Sequence, residues 1–544
     1  METNINEKHE ENDYVDPPAP RTRMEIIRFV TLILGIALSI FALALNSTIV
    51  APAMTIIATN LDAFQQQTWI ATAYLVAFNS SQPLAGKFSV IFGRKPILLA
   101  GLFFLLLGSL ICATTPNIHG LIAGRTIQGF GAGNIMSMTF VVVMDIAPML
   151  WRPRMQAILV SVYGTANVIG PIIGGAFVDN LTWRWDFWIT VILGGVAGLI
   201  VLFLFNETAV VRKESIWTKI KRIDYLGSIF SIGFITCLLL ALNWGPQYGW
   251  DNGHVIGSFV AAGVSLILLT VSEGWIAKEP IIPLHIILNP YISFFYINMA
   301  CLGLVFIATL FFGPILFQSV FGATSSQSSI RLIPFMACFM LGSIISGFLM
   351  KRLFPYPKIH IILGAMCNVL GYGLFQTVNE HANWGKQAGF LTFCGFASGL
   401  IQTSCTSGVQ VTTTTNEDMT IAITLNNYFM ILASAIGVAI YQVLFSTLVT
   451  NQLKSVDPSI LAIAQRHGAL QNYLYIRNMP QEAQEPIVHA YMNALNRVFL
   501  LPLCAAGLGL IFAFFIKNVR YGLPSSQTRP QERRGSTNKD DDDF

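Results

Sequence analysis

The chain has 544 residues, of which 54% are hydrophobic and only 11% are charged, and its formal net charge is +4. Soluble domains carry roughly 25% charged residues, so these proportions exclude an ordinary soluble protein. The basic residues form short clusters between apolar runs, which argues against a nucleic-acid-binding protein. The sequence therefore predicts an integral membrane protein surrounded by the lipid bilayer.

Apolar runs long enough to cross the bilayer recur along the whole chain. A transmembrane helix needs about 20 apolar residues, and proline, glycine, asparagine or charged residues separate the runs. The runs lie at 29–52, 68–90, 96–115, 119–144, 155–178, 185–205, 224–244, 254–276, 292–320, 328–350, 358–378, 386–411, 419–449 and 498–517. The expected fold is an all-α membrane protein with fourteen transmembrane helices.

The segments outside these runs are polar and divide the chain into parts. The two ends have the composition of disordered tails, and a long segment near the C-terminus has the pattern of short amphipathic helices. The expected parts are a tail (1–28), six spans (29–205), a linker (206–223), two spans (224–276), a linker (277–291), six spans (292–519) with an outer loop at 450–497, and a tail (520–544).

Lysine and arginine are distributed unevenly between alternate loops. The positive-inside rule places basic loops in the cytosol. The loops on the same side as the N-terminus carry most of these residues, including Arg94, Lys95 and Arg152, whereas the loop near Asn416 and the loop at 450–497 are exceptions. With an even number of spans, both termini are expected in the cytosol.

Several kinds of active site are missing from the sequence. It contains neither a nucleotide-binding phosphate loop nor a Ser-His-Asp, HExxH or CxxC pattern. All eight cysteines fall inside apolar segments, which favours neither disulfides nor zinc binding. We therefore expect no enzyme activity, no cofactor and no metal site, and we expect ion gradients to drive any transport.

Arg125 lies in the fourth predicted span. An arginine at the membrane centre costs roughly 2.5–3.5 kcal/mol, so it should face a polar cavity or a partner. Gly129, Ala132 and Gly133 share its helix face and leave room beside it. The interpretation we favour is a functional cation, and the alternative is a structural arginine bonded to backbone carbonyls.

The fifth predicted span is rich in glycine. Gly164, Pro171 and Gly175 share one face, and Gly170 and Gly174 share another. Small residues let helices approach closely, and proline removes a backbone hydrogen bond. This pattern indicates a bendable helix that packs tightly against a neighbour.

The segment Gly86–Pro96 joins the second and third spans by a tight turn that carries Arg94 and Lys95. Taken alone it is typical of any basic cytosolic loop. Together with the Arg125 segment and Gly164–Gly175, however, it resembles the loop, fourth-span and antiporter motifs of the major facilitator superfamily. The three motifs stand in the order and spans of that family.

The resemblance extends over nearly the whole chain and is closest to the fourteen-span drug:proton antiporter branch, which includes fungal toxin-efflux pumps and vacuolar basic amino acid permeases. It implies two six-helix bundles that flank two inserted spans, and transport by alternating access. Further similar segments are Leu45–Val50, Trp69–Tyr74, Trp183–Trp185, Ile223–Gly227 and Pro280–Pro283.

The resemblance also implies gating roles. Asp145 would pair with Arg94 or Arg152 and latch the cytosolic side when the transporter faces outward. The other expected gating residues are Gly86, Gly93, Lys95, Gly164, Gly170, Pro171, Gly174 and Gly175.

The chain departs from the branch pattern at two acidic positions. Asn46 and Val90 stand where aspartates are usual, and Asp145, Asp186 and Glu273 lie near the ends of predicted spans. Proton coupling needs a group in the cavity that can be protonated. The resemblance implies proton antiport, and these departures leave an uncoupled facilitator open.

Polar side chains within the spans are expected to line a central site. One cation among amides, hydroxyls and aromatic rings suits a neutral or anionic amphipathic molecule. The alternative for each residue is a hydrogen bond between helices. The candidates are Asn46, Tyr74, Gln82, Arg125, Gln128, Asn167, Gln318 and Asn426.

These observations together predict a transporter that exports drugs, toxins or metabolites at the plasma membrane, with proton antiport. The alternatives are a vacuolar basic amino acid transporter, an uncoupled facilitator and a receptor that no longer transports. We expect a monomer whose partners are a small-molecule substrate, protons and the bilayer, without nucleic acid.

Overall fold

The structure is a computed structural model that describes residues 22–521 except 52, 64–65, 207–214, 351–352, 414, 454–455, 467–475 and 477–478. Most of the two predicted tails and part of the first predicted linker lie outside the described residues. All regular elements in the described part of the chain are helices.

Fourteen of these helices correspond in position to the predicted spans, and we label them in chain order. They are α1 (Arg23–Ile49), α2 (Gln67–Phe92), α3 (Arg94–Thr114), α4 (Ile118–Ile146), α5 (Arg152–Asn180), α6 (Trp185–Leu204), α7 (Tyr225–Tyr248), α8 (Gly253–Val271), α9 (Pro290–Ser319), α10 (Ile333–Leu349), α11 (Pro357–Phe375), α12 (Trp384–Thr412), α13 (Asn416–Leu453) and α14 (Leu500–Phe515). Shorter helices span Met54–Asn60, Met149–Trp151, Ile216–Lys221, Ser272–Ile276, Leu284–Ile287, Ser325–Arg331, Pro458–Arg466 and Gln481–Val498.

Twelve helices in the described residues are long and apolar enough to cross a membrane, and the last of them runs from Gln481 to Phe515. These criteria do not confirm the prediction of fourteen spans, because α2 and α12 do not meet them. Both helices are rich in polar residues that are buried, such as Asn79 and Gln82 in α2. A helix whose polar face packs against protein needs less apolar surface than one that faces lipid.

Helix ends are stabilised by side chains that accept hydrogen bonds from free backbone N–H groups. Thr22 and Glu25 form a capping box at α1, and Asn117 accepts from the N–H of Gly120 at the start of α4. Such caps contribute about 0.5–2 kcal/mol each. Between α2 and α3, Gly93 has φ of +102°, which favours glycine and allows an immediate turn from one helix to the next.

Close helix contacts organise the chain into two halves. Helices α1–α6 pack around one another, and so do α9–α14, while α7 and α8 form a pair with α7 against α2. In the first half, a Cβ atom at Gly129 or Gly133 of α4 would collide with backbone carbonyls of α2, and one at Gly131 would collide with α3. These glycines therefore permit the close approach of three helices.

The halves meet mainly through α5 with α10 and α2 with α13. In the described parts of 450–497, the helix Gln481–Val498 packs against α13. Its buried face includes Ala483, Ile487 and Tyr491. Polar groups occupy the opposite face, as expected for an amphipathic helix.

Candidate functional site

The guanidinium of Arg125 is held inside the first half by groups from three helices. Its Nε donates to the carbonyl oxygen of Ile70 at 2.9 Å. Its Nη1 donates to Asn46 Oδ1 at 2.8 Å and to Gln128 Oε1 at 3.0 Å. The guanidinium also lies 4.3 Å from the ring centroid of Tyr74, a cation–π contact. Arg125 is 2% exposed, so protein groups and not bulk water surround its charge.

Asn46 links Arg125 to α6. Its amide nitrogen Nδ2 donates to Thr190 Oγ1 at 3.3 Å, while its Oδ1 accepts from Arg125. Thr190 Oγ1 in turn donates to the backbone carbonyl oxygen of Asp186 at 3.4 Å. A single amide therefore connects the cation of α4 with the first turns of α6.

Two further buried hydrogen bonds complete this network. Gln128 Nε2 donates to Ser109 Oγ of α3 at 2.7 Å, and the Tyr74 hydroxyl donates to the carbonyl oxygen of Leu43 at 3.3 Å. Helices α1, α2, α3, α4 and α6 thus contribute to one polar centre. We call it the Arg125 cluster, and it consists of Asn46, Tyr74, Ser109, Arg125, Gln128, Asp186 and Thr190.

Asp186 belongs to this cluster although it was not among the predicted site residues. Its side chain is 0% exposed, and it interacts electrostatically with Arg125. Within the described residues, neither carboxylate oxygen has a hydrogen-bond partner. In the sequence it is one acid near the end of an apolar run, where a solvated side chain is the ordinary expectation. Its side chain is buried only because other helices pack around it in the folded protein.

Arg94 and Asp145, two of the predicted gating residues, form a buried ion pair between α3 and α4. Arg94 Nη2 also donates to Thr420 Oγ1 of α13 at 2.9 Å, so this arginine contacts the second half. Arg152 donates to the carbonyl oxygens of Ala147 and Met144. We call this end of the molecule, where α2 turns into α3, the Gly93 end.

Further contacts close the Gly93 end between the two halves. Ser407 Oγ of α12 donates to Gln156 Oε1 of α5 at 3.1 Å, and Ser343 Oγ of α10 donates to the carbonyl oxygen of Ala157 at 3.4 Å. A Cβ atom at Gly347 would lie 2.6 Å from the carbonyl oxygen of Pro153. The backbones of α5 and α10 therefore touch at this glycine.

Tyr521, inside the segment predicted as a disordered tail, is buried at the Gly93 end. Its hydroxyl lies 3.1 Å from the carbonyl oxygen of Met149 in the first half and 3.3 Å from Gln410 Oε1 in the second half. Tyr521, the last described residue, therefore lies between the two halves and contacts both of them. No pattern in the sequence pointed to this contact.

The glycines of α5 have different surroundings. Gly170 and Gly174 pack against Thr48 and Ile49 of α1 so closely that a Cβ atom would collide with them. Gly164 faces Phe339 of α10, whereas a Cβ atom at Gly175 would have no atom within 4 Å. Pro171 lies between these contacts, inside the helix. The 170/174 face therefore joins α5 to α1, and Gly164 joins it to the second half.

The other predicted site residues form hydrogen bonds outside the Arg125 cluster. Gln82 and Asn167 donate to carbonyl oxygens of their own helices, Gln318 donates to Ser328 Oγ, and Asn426 donates to Thr406 Oγ1. In the described part of the chain, no hydrogen bond joins any of these four to the cluster. Two further predicted gating residues lie at other contacts. Lys95 donates to the carbonyl oxygen of Leu202 at 2.7 Å, and Gly86 lies beside Thr424.

A second group of charges ties the α7–α8 pair to the first half. Glu279, after α8, accepts hydrogen bonds from Arg222, before α7, at 2.7 and 3.1 Å, and its Oε2 lies 3.0 Å from Lys87 Nζ of α2. Burial alone would raise the pKa of Glu279, but the hydrogen bonds from Arg222 and Lys87 hold that pKa below its ordinary value. We call these three residues the Glu279 clamp.

A largely apolar groove of about 360 Å³ lies among α2, α4 and α7. Trp69, Phe130 and Leu240 are among its lining residues, with the hydroxyls of Ser80 and Thr126. It shares no lining residue with the Arg125 cluster. The polar centre and the groove therefore occupy different faces of α2 and α4.

Comparison with known proteins identifies the protein family of this chain. Residues 36–438 match the family model described as Major Facilitator Superfamily. The chain belongs to the major facilitator superfamily. It is 30% identical to the MFS-type transporter astH of Aspergillus oryzae over 89% of this chain and 85% of the relative. It is 29% identical to the efflux pump roqT of Penicillium rubens, over 93% and 94% of the two chains.

Solved major facilitator structures share the fold. FucP in the outward conformation aligns with a TM-score of 0.54 at 14% identity and covers 91% of this chain and 99% of that one. The human organic anion transporter MFSD10 (TETRAN) aligns with the same TM-score and identity, over 88% and 99%. The predicted all-α major facilitator fold is confirmed, and the chain is a multi-pass membrane transporter. The drug:proton antiporter branch stays a prediction.

Proposed function

We propose that this chain exports a small amphipathic organic molecule in exchange for protons by alternating access. The observation that carries the proposal is the closure of the Gly93 end by contacts between the two halves. A transporter that alternates must close and reopen one end without unfolding either half. The names of three relatives, which are efflux pumps, support export as the direction of transport.

The chemistry of the contacts supports reversible closure. The bonds from Ser407 to Gln156 and from Ser343 to Ala157 join uncharged groups. Neutral hydrogen bonds contribute about 0.5–1.5 kcal/mol each, because both partners bond to water when separated. The buried ion pair of Arg94 and Asp145 lies within the first half. Opening the Gly93 end therefore need not separate these two buried charges.

The Arg125 cluster is the proposed substrate and coupling site. It offers one cation, one carboxylate, amides, hydroxyls and the ring of Tyr74 within a buried centre. A balanced pair of charges suits a neutral amphipathic molecule, whose polar groups bond to the amides. The second candidate is a basic amino acid, since the carboxylate of Asp186 has no hydrogen-bond partner in the described chain and would attract a cation.

The arrangement in the membrane is part of the same proposal. The Gly93 end carries the basic loops and faces the cytosol, with both termini on that side. All fourteen long helices cross the bilayer, with α7 and α8 as an inserted pair between two six-helix bundles. The chain acts as a monomer in the plasma membrane, and the vacuolar membrane accompanies the amino acid alternative.

The test is transport by the purified chain in liposomes with imposed pH gradients of either direction. A fluorescent amphipathic dye and radiolabelled arginine and lysine serve as probes. We expect the dye to follow the pH gradient, and Arg125→Ala to abolish this flux while Arg466→Ala, a surface variant, does not alter it. Gradient-driven flux of the amino acids alone would establish the second candidate, and flux indifferent to pH would reject proton exchange.

A further inference from the structure

Asp186 occupies an unusual position for an acid in a membrane protein. It lies in the first turn of α6, and its side chain is 0% exposed. An ionised carboxylate buried without partners costs several kcal/mol, so it must gain either a counter-charge or a proton. Neither of its oxygens has a hydrogen-bond partner in the described residues.

The charged and titratable groups around Asp186 are few. Arg125 interacts with it from α4, and Cys112 of α3 and Tyr74 of α2 interact with that same arginine. The apolar part of α1 from residue 29 to 49 contains no ionisable side chain, and α5 contributes Tyr163 and the exposed Asp179. The neighbouring Arg184 donates to the carbonyl oxygen of Thr115 and packs on a tryptophan ring. Among the described residues, Arg125 is therefore the cation that interacts electrostatically with Asp186.

The hydrogen bonds of Arg125 leave part of its guanidinium available. The bonds to Ile70, Asn46 and Gln128 use Nε and Nη1. Guanidinium groups have five N–H donors, two of which are on Nη2. Asn46 also ties this arginine to Thr190, one turn along α6 from Asp186. A change in the charge of Asp186 would thus alter the interactions of Arg125, Asn46 and Thr190, which lie on α4, α1 and α6.

We propose that Asp186 is the proton-accepting residue of the transport cycle and supplies the carboxylate that is absent at Asn46. This inference rests on the proposed proton exchange. In one state the ionised carboxylate balances Arg125. In the other state a proton from the outer solution binds a carboxylate oxygen, no electrons are transferred, and the same proton leaves to the cytosol after the conformational change.

The two states differ in what the cluster can bind. With Asp186 ionised, Arg125 is neutralised and the centre accepts a neutral or cationic molecule. With Asp186 protonated, the positive charge of Arg125 is unbalanced and repels a cation. Binding of a proton and binding of a cationic amphipath therefore oppose each other, as exchange requires.

The test compares Asp186→Asn and Asp186→Glu with the wild-type chain in liposomes that contain a pH-sensitive dye. The probe is a fluorescent cationic amphipath. We expect Asp186→Asn to lose gradient-driven accumulation and substrate-linked proton movement, yet to keep counterflow between equal concentrations of the probe. Asp186→Glu is expected to retain coupling. Asp179→Asn, at an exposed acid near the end of α5, is the matched control and should behave as wild type.

Other outcomes separate the possible failures. If Asp186→Asn still accumulates the probe along the pH gradient, Asp186 is not the coupling group, although proton exchange itself stands. If the wild-type chain shows counterflow without any pH-driven transport, proton exchange fails first. Loss of counterflow in both Asp186 variants, with wild-type size-exclusion profiles, would reduce Asp186 to a positioning role for Arg125 and overturn the inference.

Discussion

Thr420 permits a direct measurement of the closure between the halves. Thr420→Val removes the hydroxyl that accepts from Arg94 Nη2 at 2.9 Å, with almost no change in side-chain shape. Arg94 keeps its ion pair with Asp145, so the first half should fold normally. A hydrogen bond to a charged group contributes about 1.5–3 kcal/mol. The ratio of closed to open molecules at the Gly93 end should therefore fall by about 10- to 150-fold.

The distance between the halves reports this ratio. Spin labels at Leu150 and Leu353, which are exposed and lie at the Gly93 end of the first and second halves, give the distance distribution by pulsed electron paramagnetic resonance in a cysteine-free background. The control is Thr412→Val, because the Thr412 hydroxyl donates to Gly408 of its own helix. Equal distributions for both variants would show that the Arg94–Thr420 bond does not hold the halves together.

Two further predictions concern packing and charge. Gly174→Ala should lower the free energy of unfolding by about 1–3 kcal/mol, because its Cβ atom would collide with α1. Gly175→Ala is the control and should be tolerated, because a Cβ atom there has no atom within 4 Å. Thermal unfolding in detergent compares the two variants, and equal melting temperatures would contradict the packing of Gly174 against α1. Because the pKa of Glu279 is depressed, the clamp is complete at neutral pH and is lost as pH falls through that lowered pKa. A spin label at Lys221, beside Arg222, should become mobile over that pH range, and in Glu279→Gln the same label should be mobile at every pH. An immobile label in Glu279→Gln would show that Glu279 does not hold this segment in place.

The helices were predictable because their cause is local. Twenty or so apolar residues between polar breaks can satisfy their backbone in lipid only as a helix. The runs predicted at 68–90 and 386–411 do form the helices α2 and α12, but a hydropathy threshold leaves these two out. Both carry buried polar residues, such as Asn79 and Gln402, which lower their mean hydropathy. The proposal that these two helices also cross the membrane therefore depends on their packing against other helices, which hydropathy along the chain does not measure.

Residues of the candidate site could be singled out in the sequence where one residue type was anomalous for its surroundings. Arg125 stands out as a charge within an apolar run, and Asn46 follows from its place on the first span. Asp186 and Glu279 were missed because the residues that they interact with lie far away in the sequence. Arg222 lies 57 residues before Glu279, and the acid of α6 meets the cation of α4 only after the bundle assembles. Gln318 and Asn426 have the right residue types, but their hydrogen bonds lie elsewhere.

Apart from the hydrogen bond from Arg94 to Thr420, the described contacts between the halves at the Gly93 end join hydroxyls, amides and glycine backbone. Salt screens charges, so ionic strength should have little influence on contacts of this kind. Water activity should matter more, because opening hydrates Gln156, Ser343, Ser407 and the backbone beside Gly347, all of which are now packed against protein. Excluded osmolytes such as sucrose favour burial of protein surface. The conformational equilibrium of this transporter should therefore respond to osmotic stress, with closure of the Gly93 end favoured as water is withdrawn.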